Sequence, residues 1–196
     1  MAKGFKQREW VDYFNTYAPV VRITSIRVLL ALASIYKLFV HQIDVKTAFL
    51  NGDLDEEVYI EQPEGFVLSR NKKKVCKLVK SLYGLKQTSK QLHEKFDLVI
   101  LLDGFVHNGA DQCIYSKFTK EYGVIACFYV DDILIFGTNM KGACETKKYL
   151  SSMFQMKDLN KVDIILGIKI KWHSEGFALC QSHYVEKVLQ RLNILI

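Results

Sequence analysis

Two adjacent carboxylates, Asp131 and Asp132, stand inside an otherwise apolar run, Cys127-Phe-Tyr-Val-Asp-Asp-Ile-Leu-Ile-Phe136. Burying an unpaired carboxylate costs roughly several kcal/mol and neighbouring carboxylates repel, so a cation is expected beside them. A third acid, Asp44, has a similar setting in Leu38-Phe-Val-His-Gln-Ile-Asp-Val45. Hard oxygen donors suit magnesium, which takes one or two carboxylates from a protein and its other ligands from phosphate and water. One acid on a strand and two on a hairpin have the composition of a two-metal site, with ions about 3.5–4 Å apart serving an in-line displacement at phosphorus. Charge from metal and from Lys or Arg would then carry the catalysis, rather than a covalent nucleophile. The competing reading is a solvated hairpin turn, since Asp is a common turn residue. The ten residues alone leave both open.

Elements must bring these acids together. The apolar residues flanking Asp131-Asp132 are rich in β-branched and aromatic types and predict two short strands joined by a tight turn at the acids. Residues 38–45 predict a strand ending near Asp44. Before it, Ile26, Leu29, Leu30, Ala33 and Tyr36 fall at helical spacing, with Thr24 or Ser25 as the cap, and Pro19 keeps residues 1–20 an extended arm. Asn51-Gly52 is a turn signal, residues 58–61 and 75–80 read as strands, and Lys72-Lys-Lys74 is a solvated loop or a phosphate-facing one. A helix after Gly84 presents Leu92, Phe96, Val99 and Ile100 and stops at Gly104. Residues 113–118 predict a strand, Asn139 caps a helix to about 154, residues 164–172 read as one strand turned by Ser174-Glu-Gly176 towards 177–179, and a last helix begins at Ser182. Strands and helices mixed without strict alternation predict an α+β fold, with helices on one face of a mainly antiparallel sheet.

The formal charge of +6 and pI near 9.0 favour a polyanionic partner without requiring one. Five cysteines, an odd number without close pairs, point to reduced thiols and away from a zinc or disulfide framework. No apolar stretch reaches membrane-spanning length and the first residues lack a signal-peptide core, so a soluble, intracellular protein with no membrane partner is expected. No Gly-x-x-x-x-Gly-Lys-Ser/Thr loop, Gly-x-Gly-x-x-Gly, nucleophile elbow or His-Glu-x-x-His occurs.

Longer motifs add to this. Ala2-Lys-Gly-Phe, Tyr17-Ala-Pro-Val, Ile23-Thr-Ser-Ile-Arg27, the stretch from His41 to Leu54, Tyr59-Ile-Glu-Gln-Pro-Glu-Gly-Phe66, Ser81-Leu-Tyr-Gly-Leu-Lys-Gln87, Tyr129-Val-Asp-Asp132, Met156-Lys-Asp-Leu159 and Leu166-Gly-Ile168 follow one another along nearly the whole chain. In these motifs and their order the chain resembles the reverse transcriptase of copia-type long-terminal-repeat retrotransposon Pol polyproteins.

The resemblance implies a right-hand polymerase palm with fingers over residues 1–180 and the start of a truncated thumb or connection helix over 181–196. It implies an RNA-directed DNA polymerase that uses two Mg2+ ions, with Mn2+ as a substitute, deoxynucleoside triphosphates, and a primer on an RNA or DNA template. By motif, Asp44, Asp131 and Asp132 are the catalytic and metal-binding acids, and the backbone of Val45 joins the metal and triphosphate site. Phe49 resembles the aromatic gate against a ribose 2′-hydroxyl. Tyr83, Gly84 and Lys86 lie in the motif against the incoming nucleotide, where Gly allows close backbone approach. Arg22 and Lys157 are assigned to the triphosphate, and Tyr129, Arg27 and Lys46 to nucleic acid. The ribonuclease H and integrase regions of such polyproteins are absent from this stretch, and the family's usual compartment is a cytoplasmic virus-like particle. One departure concerns template grip: the family follows Leu-Lys-Gln with Ala-Pro-Arg-Gln-Trp, whereas Thr88-Ser-Lys-Gln-Leu92 stands here. The alternative is a catalytically inactive, nucleic-acid-binding remnant of a degenerate copy.

Overall fold

The computed structural model describes residues 3–67, 69–71, 73–173 and 176–194. Ala2, Lys72, Ser174 and Glu175, and the last two residues of the expected terminal helix, lie outside the described residues.

Six antiparallel strands make the main sheet, in the order β4 (Val106–Asn108), β5 (Asp111–Phe118), β6 (Gly123–Tyr129), β7 (Asp132–Gly137), β1 (Phe39–Val45) and β8 (Met156–Lys161). Alternation along the central strands splits their side chains between two cores. Ile43, Val45, Ile133 and Ile135 point to one face, where Leu92, Phe96, Val99 and Ile100 of α2 (Thr88–Leu102) and Ala143 and Leu150 of α3 (Met140–Met153) cover them. The rings of Phe96 and Phe128 stack there, 4.1 Å between centroids and 10° apart. Val40, Leu134 and Phe136 point to the other face, onto Ile26, Leu29, Leu30 and Ala33 of α1 (Ile23–Ile35). Ile165 and Ile170 join the same cluster from a small sheet of β9 (Ile164–Ile165), β10 (Ile168–His173) and β11 (Gly176–Cys180).

The α+β class and antiparallel sheet agree with the sequence reading, but helices cover both faces, not one. The reason lies in the central strands: β6 and β7 carry apolar residues at successive positions, so both faces need cover. A separate ribbon, β2 (Tyr59–Glu61) with β3 (Val75–Lys77), stands apart from the main sheet, and α4 (Ser182–Arg191) follows β11. No helix of the described residues is long and apolar enough to cross a membrane.

Four local expectations need correction. Neither Thr24 nor Ser25 caps α1; Arg22 is its N-cap residue, without a side-chain cap. Instead Asp111 of β5 accepts from the Arg22 amide at 3.2 Å and from Ser25 Oγ at 2.8 Å, a carboxylate brought to the positive end of the helix from a distant strand. Tyr36 falls just past the helix and is exposed. The single strand expected over 164–172 is a hairpin, because Leu166 and Gly167 both take left-handed φ, 52° and 74°. The expected arm has a 3-10 turn, Gly4–Lys6, and docks on the loop before α2. Gly4 is required there, since a Cβ would come within 1.7 Å of the Gly84 carbonyl oxygen.

Asn139 does cap α3, its side-chain oxygen accepting from the Gly142 amide at 2.9 Å. Asn139→Ala is expected to cost about 1 kcal/mol of stability in a denaturant titration, the usual value of such a cap.

Candidate active site: an acid row at one end of the sheet

The register of the sheet gathers the acids. Asp44 of β1 lies directly opposite Asp132 of β7 and, on its other side, opposite Lys157 of β8. Asp132 in turn lies opposite Tyr129 of β6. Directly opposed residues of an antiparallel sheet share a face, so Lys157, Asp44, Asp132 and Tyr129 form one row across four strands. Val130 and Asp131 make the connecting turn, so Asp131 sits at the tip while Asp132 already belongs to the strand. Val130 takes φ 56°, a conformation that costs a β-branched residue about 1–3 kcal/mol and tends to persist at functional sites. The tip is tied down: the Val45 amide donates to the Asp131 carbonyl oxygen at 2.9 Å. That amide is therefore engaged within the protein.

Gln42 is a site residue that the sequence reading passed over. It lies two positions before Asp44, hence on the same face, and its buried Nε2 donates to Asp132 Oδ1 at 2.7 Å. Period-two alternation from Asp44 was the signal that would have found it. The carboxyl of Asp132 is pushed above its ordinary value, first by burial and also by the charges of Asp131 and Asp44, against the lowering effect of the Gln42 bond. The row thus holds more negative charge than Lys157 offsets.

Among the described residues, no group of three or more His, Cys, Asp or Glu side chains is gathered as a metal-binding set. The donor chemistry nonetheless fits a hard divalent cation. The groups are carboxylates, and one of them pays for its ionisation through burial and like charge, a cost that a cation at Asp44, Asp131 and Asp132 would relieve.

A raised carboxyl has a defined effect on stability. Its contribution is fully present below the unfolded value of about 3.9 and is lost as pH rises through the folded value. Asp132→Asn keeps an oxygen for Gln42 and removes the repulsion. Without divalent metal at neutral pH it should raise Tm, and the gain should vanish at low pH. A calorimetric comparison across pH checks both.

The other predicted residues fall into four groups. Phe49, half-buried on a 3-10 turn just past β1, meets Tyr83 edge to face at 4.8 Å. Gly84, at φ 99°, and Lys86 sit in the loop clasped by the arm: Gln7 Oε1 accepts from the Lys86 amide at 2.8 Å, and Gln7 Nε2 donates to Gln87 at 3.0 Å. Arg22 starts α1 beside Asp111, three residues before Ile114, the partner of Cys127, and so at the same end of the sheet as the hairpin tip. Arg27, on α1, and Lys46, just past β1, are exposed. No side-chain hydrogen bond or ion pair joins Gly84, Lys86, Arg27 or Lys46 to the acid row among the described residues. The departure at Thr88–Leu92 is absorbed by the fold: Thr88 Oγ1 donates to the Leu82 carbonyl at 2.9 Å, and Leu92 is buried in the α2 core.

Comparison with known proteins adds to this geometry. Residues 1–195 match the family model described as reverse transcriptase (RNA-dependent DNA polymerase). The chain is 45% identical over 197 residues to the retrovirus-related Pol polyprotein from transposon TNT 1-94 of Nicotiana tabacum, covering 99% of this chain and 15% of that protein. It is 37% identical over 195 residues to the retrovirus-related Pol polyprotein from transposon RE1 of Arabidopsis thaliana, covering 100% and 13% respectively. The Gag-Pol polyprotein of transposon Ty1-ER2 from Saccharomyces cerevisiae is 25% identical over 207 residues, covering 97% and 11%. The chain therefore spans a small part of each of these relatives. No solved structure matches it.

Proposed function

The chain belongs to the reverse transcriptase (RNA-dependent DNA polymerase) family, and we propose that it is the palm-and-fingers part of a copia-type Pol polyprotein, adding deoxynucleotides to a primer 3′-hydroxyl on an RNA or DNA template. The observation that carries this reading is the register that sets Asp44 opposite Asp132, with Asp131 at the adjoining tip. Asp44, Asp131 and Asp132, with the backbone of Val45, would hold two Mg2+ ions, or Mn2+, whose bound charge lowers the pKa of an attacking hydroxyl and neutralises phosphoryl oxygens.

The chain's own residues do the rest. Gln42 fixes the Asp132 carboxylate from below the row. Lys157, next to Asp44, offers an ammonium to the departing pyrophosphate. Phe49, braced by Tyr83, supplies a ring that a ribose 2′-hydroxyl would strike. Arg22, Lys46 and Lys86 supply positive charge for phosphates, and Gly84 lets backbone approach the nucleotide closely. Tyr129 and Arg27 face primer and template.

Primer extension tests this directly. Supplied with Mg2+, deoxynucleoside triphosphates and a primed RNA, the chain should extend the primer, and Asp131→Asn should stop it. Salt-sensitive template binding without any extension by the unaltered chain would mark it as an inactive remnant instead.

A further inference from the structure

The strand that carries Lys157 has little apolar reason to hold its register. Only Met156 of β8 is part-buried, its other five residues are exposed, and it lies at the edge of the sheet. Pairing is strongly specified where one face of a strand is buried and weakly where none is. β8 also contains a bulge: Ile43 pairs with Asp158 but Gln42 pairs with Asn160, leaving Leu159 as the extra residue. Buried Phe154 and Val162 anchor the two ends, yet the extra residue could sit at several steps between them. Its place decides what faces Asp44. With the bulge at Leu159 the neighbour is Lys157; with the bulge at position 157 the neighbour would be Asp158, a carboxylate where the row needs a cation.

One cluster distinguishes these arrangements. Lys147 of α3, only 9% exposed, donates to Asp158 Oδ1 and Oδ2 at 2.8 and 2.9 Å and to His41 Nδ1 at 2.5 Å. Asp158 Oδ1 also accepts from the Asn160 amide at 2.8 Å, closing the bulge on itself with Asn160 at φ 59°. Asp158 lies opposite Ile43, whose side chain belongs to the α2 and α3 core, so this contact exists when residue 158 faces α3 and Lys157 faces the acid row. We propose that Lys147, Asp158 and His41 fix the bulge at Leu159 and so place Lys157 beside Asp44, which makes Lys147 and Asp158 positioning residues for the reaction. The effect on the reaction rests on the polymerase reading; the effect on the strand does not.

The charges are consistent with that assignment. Burial, then the nearby Lys147 charge, hold His41 below its ordinary value, leaving a neutral ring to accept from the ammonium. Burial opposes ionisation of Asp158, but the bonds from Lys147 and the Asn160 amide outweigh it and keep the carboxyl low. Removing one partner would strand a charge, so the informative variant removes both.

The test compares the full chain with a Lys147→Met, Asp158→Asn double variant, with Lys147→Gln, Asp158→Asn carrying the same readouts if the first double variant fails to fold. NMR cross-strand contacts between residues 44 and 157 should form one set in the unaltered chain and be lost or split in the variant. Deleting Leu159, which removes the extra residue, should restore the single set. In primer extension the variant's kcat should fall at least about tenfold with little change in KM for the triphosphate. In a Lys157→Met background, removing the cluster should cost no further kcat. A single 44–157 set that persists in the variant overturns the proposal, as does an equal kcat loss with and without Lys157. If the unaltered chain extends no primer, the polymerase reading falls, and the NMR comparison alone decides the bulge.

Discussion

Asp44→Asn and Asp131→Asn should each lower nucleotide addition by on the order of 10³-fold, about 4 kcal/mol of transition-state stabilisation, while the protein stays folded. Each change is nearly isosteric and removes one negative charge from the row that would hold the divalent ions. Asp44 stands between Asp132 and Lys157 in the sheet, so losing its charge leaves a lysine and a half-buried acid without the group between them. Asp131 lies at the turn, where its backbone oxygen holds the Val45 amide; that bond is untouched by the substitution. Single-turnover primer extension with saturating triphosphate reads the effect on chemistry, and circular dichroism confirms the fold. Full activity in either variant would remove that residue from the site.

Phe49→Ala should relax the preference for deoxyribonucleotides over ribonucleotides by about 5- to 150-fold. That is the factor given by the 1–3 kcal/mol that one overpacked contact is worth. The ring is restrained from two sides, by the α2 core beneath it and by the edge contact with Tyr83, so it cannot simply swing away from a 2′-hydroxyl. Tyr83→Ala removes one restraint and should give a smaller change of the same sign. Competition between the two sugar types at a single template position measures the ratio. An unchanged ratio with only a loss of stability would make Phe49 a packing residue.

How much of this was legible in the sequence differs by element. The central strands and α2 were readable because apolar periodicity and stop signals such as Gly104, which takes φ 83°, act locally. The acid pair was readable because charge inside an apolar run is rare. β8 was not readable as a strand: with no buried face it has no alternation, and it is a strand because β1 offers it an open edge. The cap of α1 was misplaced because its carboxylate comes from Asp111, 86 residues beyond Ser25. The covering of both sheet faces was not legible because the partners of the second face, α1 and the β9–β11 sheet, lie far from β6 and β7 along the chain. Lys147 was invisible for a related reason, since a lysine on a mixed helix looks solvated until His41 and Asp158 are placed beside it.

The central claim is that Asp44, Asp131 and Asp132 together bind divalent cations. Titrating the chain with Mn2+ and following the free ion by electron paramagnetic resonance tests it without relying on catalysis. Saturable binding that weakens at least about tenfold in an Asp44→Asn, Asp132→Asn double variant is the predicted result, by the loss of two hard ligands. Equal Mn2+ binding by the two proteins, with the fold intact, would contradict the account.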